Sequence, residues 1–125
     1  MENNQNHNPN SRRNKDKLLV LDHIKNEIEK GSGLTIKELS AKYGEEQLFY
    51  TSLKYVTTTK KALCVAIDIP VEAACRYKKH LEDRGLLVES IEVVICPYTK
   101  HYARLISTNP EEFDRLSETT QLNLF

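Results

Sequence analysis

The sequence of 125 residues lacks several features that would assign it to a familiar class of protein. It has no apolar run long enough to span a membrane, and it begins with polar residues where a secretion signal would be basic and then apolar. Its three cysteines contain no Cys-x-x-Cys pair, which is typical of free thiols in a reducing compartment. We therefore expect a cytoplasmic protein that is not associated with membranes.

Residues suited to catalysis or to metal binding are also sparse. The four glycines do not form a phosphate-binding loop. Cys64, Cys75, Cys96, His80 and His101 could be considered as zinc ligands, but their spacing is not that of a zinc site. Cys96 and His101 could be considered as a nucleophile and base, but the sequence indicates no oxyanion hole and no orienting acid. We therefore expect no metal, no cofactor and no enzyme activity.

The formal net charge is zero, yet the charges are distributed unevenly. Residues 108–125 hold four acids and one base, which leaves residues 1–107 with 17 bases and 14 acids. This bias is too mild to establish binding to nucleic acid. Whether the protein binds nucleic acid must therefore be judged from where the charges lie in the sequence.

Composition and hydrophobic periodicity divide the chain into three parts. Residues 1–14 contain six Asn and predict a disordered arm. Residues 15–107 contain the periodic apolar positions of a folded domain, and residues 108–125 form an acidic tail. A last short helix is predicted to begin at Asn109-Pro110 within that tail.

Helices dominate the folded domain. Leu18, Leu21, Ile24 and Ile28 recur at helical spacing between residues 15 and 30, and Gly31 and Gly33 predict the end of that helix. The remaining helix signals are a capping box at Thr35 and Glu38, an amphipathic stretch at 46–56 with Phe49, Leu53 and Val56 on one face, and helices at 60–67 and 71–84.

A β-hairpin follows the last of these helices. Residues 86–107 are rich in Val, Ile, Leu and Tyr and are interrupted once, at residues 96–100. Before residue 60 the helical pattern is interrupted by three β-branched residues, Thr57, Thr58 and Thr59, which also supply a cap for the helix that follows. The predicted fold is mainly α with a small β-hairpin.

Residues 60–84 have the composition of two helices that cross at a tight turn. The crossing needs a large and then a small residue, a turn residue that tolerates a left-handed backbone, an apolar plug and a small inward residue on the second helix. The sequence supplies these as Leu63-Cys64, Ile67, Asp68, Ile69 and Ala74.

With the exit sequence from Leu81 to Leu87 and the hairpin at 88–107, this segment resembles a winged helix-turn-helix, here with extra N-terminal helices. Asp68 stands where Gly is usual in that family. Lys78 stands where an apolar residue is frequent, so we expect Tyr77 to pack inward. A second window at residues 35–56 ranks lower, because Glu45 occupies its plug position.

The resemblance implies a DNA-binding surface on the helix at 71–84. Four residues would point outward toward base edges, where Arg76 suits guanine and Glu72 suits cytosine: Glu72, Cys75, Arg76 and Lys79. Four more would hold phosphates: Lys60, Lys61, Lys100 and Arg104. The same charges could also be an ordinary solvated face. The partner would be double-stranded DNA, and a homodimer stays open because the sequence does not determine the oligomeric state.

The last five residues resemble the motif by which bacterial proteins bind the replication sliding clamp. Its defining positions are Gln121, Leu122, Leu124 and Phe125, and the acidic residues 111–118 would serve as a spacer. The other interpretation is that this segment folds back on the core. Two hypotheses result: a DNA-binding regulator of transcription or replication, or a protein-interaction module that uses the same fold and is recruited to the clamp.

Overall fold

The computed structural model describes the backbone of residues 9–117 and the side chains of residues 14–117. This part of the chain is mainly helical with a small antiparallel sheet, which confirms the coarse prediction. The elements follow in the order α1 (Pro9–Ser32), α2 (Ile36–Lys42), α3 (Glu45–Tyr55), β1 (Thr58–Thr59), α4 (Lys60–Ile67), α5 (Val71–Asp83), β2 (Val88–Ile95), β3 (Tyr102–Ser107) and α6 (Pro110–Ser117).

α1 begins earlier than the sequence analysis expects. Residues 9–14, assigned there to the disordered arm, form its first turns. Pro is favourable at the first position of a helix, because its missing N–H would have no partner there. Ile24 and Ile28 are buried as the periodicity predicts, whereas Leu18 is 60% exposed. The N-terminal half of α1 therefore lies at the margin of the core.

The two glycines near the end of α1 have different roles. Gly33 follows the helix with a φ of 77°, a left-handed conformation that suits glycine, and its N–H donates to the carbonyl of Glu29 at 2.9 Å. Gly31 lies inside the helix, and a Cβ there would stand 2.4 Å from a ring carbon of Tyr55. Gly33 therefore ends the helix as predicted, while Gly31 lets α3 approach α1.

α2 and α3 begin and pack as the sequence predicts. The hydroxyl of Thr35 accepts from the N–H of Glu38 at 3.0 Å, and the carboxylate of Glu38 accepts from the N–H of Thr35 at 2.9 Å, which completes the capping box. Phe49 and Leu53 of α3 are fully buried. α3 contacts α1, α2, α5 and β3, so it is the central helix of the domain.

The threonines at 57–59 form more than the predicted break. Thr58 and Thr59 are β1, which pairs with β3 and gives the hairpin a third strand. The hydroxyl of Thr59 also accepts from the N–H of Ala62 at 3.4 Å, the cap predicted for α4. Its distance to the sulfur of Cys96, in the hairpin, is 2.9 Å. One side chain thus joins the helical and the β parts of the domain.

The sheet has the strand order β1-β3-β2, and its hairpin contains a bulge. Val88 and Glu89 pair with the base of β3, while Val93 pairs with Arg104 further out. Residues 90–92 therefore stand opposite the single residue Leu105. Such an irregularity bends the bulged strand and increases its twist.

α6 extends the folded unit beyond residue 107, where the sequence analysis placed the end of the domain. Asn109 caps it, since its side-chain oxygen accepts from the N–H of Glu111 at 3.0 Å. Leu116 is buried, and α6 contacts β2 and β3. Residues 111–117 are therefore a packed helix and not a free acidic spacer. The four motif residues from Gln121 to Phe125 lie outside the described residues.

Between residues 9 and 117, the structure contains no helix with both the length and the apolar character needed to cross a bilayer.

Replacing Gly31 with Ala tests the close approach of α1 and α3. Alanine favours a helix by about 1 kcal/mol over glycine, but an added methyl group that forces repacking costs about 1–3 kcal/mol. We expect Gly31→Ala to lower the free energy of unfolding in urea by up to about 2 kcal/mol. In a Tyr55→Ala background the same change should become neutral or stabilising. An equal loss in both backgrounds would show that Tyr55 is not the cause.

Candidate nucleic-acid interface

The turn between α4 and α5 is made by Asp68. Its φ of 58° and ψ of 53° are left-handed, as the sequence analysis requires, and Asp tolerates this conformation at some cost. Ile69 is buried, and its N–H donates to the carbonyl of Cys64 at 2.9 Å. The small and apolar residues expected at the crossing are also buried: Leu63, Cys64, Ile67 and Ala74.

The outward face of α5 carries the residues predicted to approach base edges. Each of the four is exposed: Glu72, Cys75, Arg76 and Lys79. The guanidinium of Arg76 has a long contact of 3.5 Å to a carbonyl of its own helix, and Lys79 forms an exposed ion pair with Asp83 at 3.6 Å. Exposed pairs of this kind contribute little to stability, so both cations can be redirected at low cost.

The first turn of α4 adjoins this face. The ammonium of Lys60 lies 3.0 Å from the sulfur of Cys75, and Lys61 beside it is exposed. The structure therefore brings Lys60, one of the two predicted phosphate contacts of α4, next to Cys75 on the predicted base-contacting face of α5. Lys60 and Lys61 also occupy the helix N-terminus, where the helix dipole disfavours cations.

Acidic side chains of α3 contact α5 along one flank. The hydroxyl of Tyr77 donates to Glu45 at 2.8 Å, which raises the pKa of Tyr77 above its ordinary value. The Tyr77 ring is half-buried, tilted against Phe49 at a centroid distance of 6.2 Å, as the inward orientation predicts. One turn later, a ring nitrogen of His80 lies 2.6 Å from the carboxylate of Glu46.

Lys78 connects α5 to the hairpin. Its side chain is largely buried, and its ammonium lies 3.2 Å from Glu82 and 3.4 Å from Glu89 of β2. An apolar residue at this position would pack against the sheet. Lys78 makes the same connection with its aliphatic stem and two ion pairs.

The second window, α2 and α3, presents a different surface. α3 is buried over much of its circumference, and the carboxylates of Glu45 and Glu46 stand at its N-terminus. Glu45 is not a plug, because it is exposed and accepts the hydrogen bond of Tyr77. A helix that is covered by its neighbours and acidic at its leading end is poorly suited to a phosphate-lined groove. α5 is the better candidate of the two.

In the hairpin, Lys100 and Arg104 differ in their surroundings. Lys100 is exposed in the turn, with a left-handed φ of 68°. The guanidinium of Arg104 donates to the carbonyl of Ser90 at 3.0 Å and also to the carbonyl of Ile91. Arg104 therefore holds the bulge of β2, a role that differs from the predicted phosphate contact.

Ser90 completes the bulge. Its hydroxyl accepts from the N–H of Leu105 at 2.9 Å and donates to the carbonyl of Glu92 at 2.7 Å. These contacts satisfy backbone groups that the irregular register leaves without a partner in the ladder. This cluster was not predicted, since a single Ser in a β-rich segment gives no local signal of it.

The outer face of the hairpin is a second feature that was not predicted. Ile91, Val93, Ile95 and Tyr102 are 47–79% exposed there. The signal was available in the alternation of Val93 and Ile95, because a period of two places residues on one face of a strand, whereas Ile91 lies in the bulge, where the pairing is irregular.

The cysteines occupy three different environments. Burial raises the pKa of the Cys64 thiol to about 11, so it stays protonated at neutral pH. Burial also raises the pKa of Cys96, but hydrogen bonds from Thr59 and Thr99 outweigh it and leave that pKa below its ordinary value. Cys75 is exposed. Among the described residues, no group of three or more His, Cys, Asp or Glu side chains is placed to hold a metal ion.

Neither a scan against protein-family models nor searches of curated proteins and solved structures give a match to this chain.

The two hairpin cations should respond differently to substitution. Arg104→Ala removes charged hydrogen bonds to two carbonyls, so we expect the free energy of unfolding to fall by about 1–2 kcal/mol. Lys100→Gly relieves a left-handed residue, so stability should stay unchanged or rise by up to about 1 kcal/mol. Chemical denaturation of both variants measures this difference.

Salt titrations of DNA binding provide the complementary measurement. Loss of one phosphate contact lowers the slope of log K against log salt by about 1. We expect that change for Lys100→Gly and a smaller one for Arg104→Ala. If Arg104→Ala keeps full stability and lowers the slope by about 1, Arg104 contacts phosphate and does not support the bulge.

Proposed function

We propose that this chain is a DNA-binding protein that inserts α5 into the major groove and places the β2–β3 hairpin against the backbone as a wing. The observation that carries the proposal is the contact between Lys60 and Cys75, which joins the basic start of α4 to the exposed face of α5. Base-reading and phosphate-binding groups thereby form one continuous surface. A groove-binding helix requires this arrangement, since phosphates line both sides of the groove.

The electrostatics of α4 support a phosphate partner. Lys60 and Lys61 stand at the positive end of the helix dipole, and the first turn contains no acid to offset them. A phosphate placed there would interact favourably with both ammonium groups and with the helix terminus. This arrangement lowers the stability of the free protein, and binding of an anionic ligand would offset that loss.

The positions of the acids are compatible with the same interface. Glu45 of α3 binds Tyr77 on the inner side of α5, and Glu46 binds His80, which lies one turn after Arg76 at the flank of the exposed face. Two acids stand on the exposed face itself: Asp83, which pairs with Lys79, and Glu72, whose carboxylate can accept from the amino group of cytosine. The zero net charge of the chain therefore does not oppose DNA binding locally.

Arg76 provides the sharpest test of base reading. We expect Arg76→Ala to weaken binding to a selected DNA site by about 1–3 kcal/mol and to relax sequence preference, because a bidentate contact with guanine is lost. Fluorescence anisotropy with the selected and a scrambled duplex measures both effects.

The matched control is Arg84→Ala, which removes the same exposed charge at the far end of α5. It should leave sequence preference intact. If both variants weaken the two duplexes equally, Arg76 contributes only to the general attraction of DNA, and the base-reading role is wrong.

A link to the replication clamp is a further part of the proposal. The motif from Gln121 to Phe125 begins shortly after α6, which packs on the sheet, so a bound clamp would lie close to the folded domain. Such a protein would connect a DNA site to the replication machinery. The alternative is a module that binds protein through the same fold, and it would keep clamp binding without DNA binding.

Changing Leu124 and Phe125 to Ala tests the clamp contact. Two apolar side chains that fill a pocket contribute roughly 1.5–3 kcal/mol each, so their loss should abolish a micromolar interaction. Surface plasmon resonance with a bacterial clamp measures this, and DNA affinity should be unchanged. A fall in melting temperature without an effect on the clamp would show that the segment packs on its own domain.

A further inference from the structure

The distal half of the hairpin presents an apolar face with no partner within the described residues. Val93 pairs with Arg104 and Ile95 with Tyr102 across the two strands, and directly paired residues share a face of the sheet. Ile91, Val93, Ile95 and Tyr102 are 47%, 48%, 59% and 79% exposed. The face is thus a contiguous patch and not a set of scattered residues.

This face is poorly suited to DNA. The cation nearest its centre, Arg104, directs its guanidinium to the carbonyls of Ser90 and Ile91. Lys100 lies in the turn at the end of the hairpin, outside the paired strands. An apolar sheet surface offers nothing to phosphate groups, whose recognition depends on charge.

Addition of another strand to the edge of β2 is also disfavoured. Residues 90–92 form the bulge, and a bulge disrupts the row of backbone groups that a new strand would need. The partner must therefore pack on the face of the hairpin. Side chains, and not backbone hydrogen bonds, would make the contact.

The charge of the face matches a second copy of the same chain. A two-fold interface brings one patch against itself, so a patch with a charged centre repels its own copy. Positions 93, 95 and 102 are uncharged, and the guanidinium of Arg104, the one charged residue at the paired positions of this face, donates to carbonyls of its own hairpin. Three of the four side chains at the paired positions can therefore meet their own copies without bringing like charges together.

The size of the face matches a weak dimer. From the usual areas of such side chains, the four residues leave on the order of 400–500 Å² exposed per protomer, close to the largest apolar patches of monomers. Two such faces, with their polar rims, reach about 1,200 Å², the lower limit for specific interfaces.

We infer that the protein forms a symmetric homodimer in which the outer faces of two β2–β3 hairpins pack against each other through Ile91, Val93, Ile95 and Tyr102. The same hairpin is the proposed wing, but the inference does not rest on DNA binding, because its partner is the protein itself and the DNA contact expected on the hairpin, Lys100, lies in the turn and outside the paired strands.

Sedimentation equilibrium of the full chain without DNA, from about 1 to about 500 µM, tests the inference. We expect a monomer–dimer equilibrium with a micromolar dissociation constant. Ile95→Glu places a charge opposite its own copy, so the constant should rise at least tenfold. Leu18→Glu is the matched control, because Leu18 is equally exposed but lies on α1, and it should change the constant less than twofold.

Tyr102→Glu gives an independent variant on the other strand and should act like Ile95→Glu. Unchanged melting temperatures would show that the variants are folded. A wild-type chain that sediments as a monomer at every concentration would overturn the inference, as would equal effects of Ile95→Glu and Leu18→Glu. Measuring DNA affinity of the same variants keeps a failure of dimerisation distinct from a failure of the proposed function.

Discussion

The fully buried hydroxyl of Thr59 links the helical part of the domain to its sheet. Thr59 pairs with Leu105 in the sheet, caps α4 through the N–H of Ala62 and contacts the sulfur of Cys96. Because one residue belongs to a strand and also caps a helix, the direction in which α4 leaves the sheet is fixed. Asp68 then fixes α5 relative to α4. The orientation of α5 relative to the hairpin therefore follows from two short segments of backbone.

Three polar contacts with α3 and β2 hold α5 in that orientation. Tyr77 and His80 are bound by acids of α3, and Lys78 is bound by Glu89 of β2. Each contact is modest by itself, but together they tie α5 to α3 on one flank and to the sheet on the other. The outer side keeps the residues that can respond to a ligand.

The local parts of this structure could be predicted from the sequence. Helical periodicity located the buried Ile24, Ile28, Phe49 and Leu53, and the capping box at Thr35 appears with both of its hydrogen bonds. The exposed face of α5 was also predictable, because a helix of known inward residues has a known outward side.

The long-range parts could not be predicted in the same way. β1 is two residues long, and the strand that it pairs with, β3, lies far along the chain. The role of Gly31 depends on Tyr55, and the role of Arg104 depends on carbonyls of the opposite strand. These contacts follow from tertiary packing, which no local pattern contains.

The sheet also constrains when the domain can form during synthesis. Thr58 and Thr59 have no strand to pair with until Leu105 and Ile106 have left the ribosome. Local helices form quickly, whereas contacts between distant segments are slow and expose apolar surface while they are absent. In a nascent chain that ends before β3, the surfaces of α3 and α4 that contact β3 would still be exposed to solvent. The contacts of α3 and α4 with β3 therefore form only after the hairpin has been synthesised.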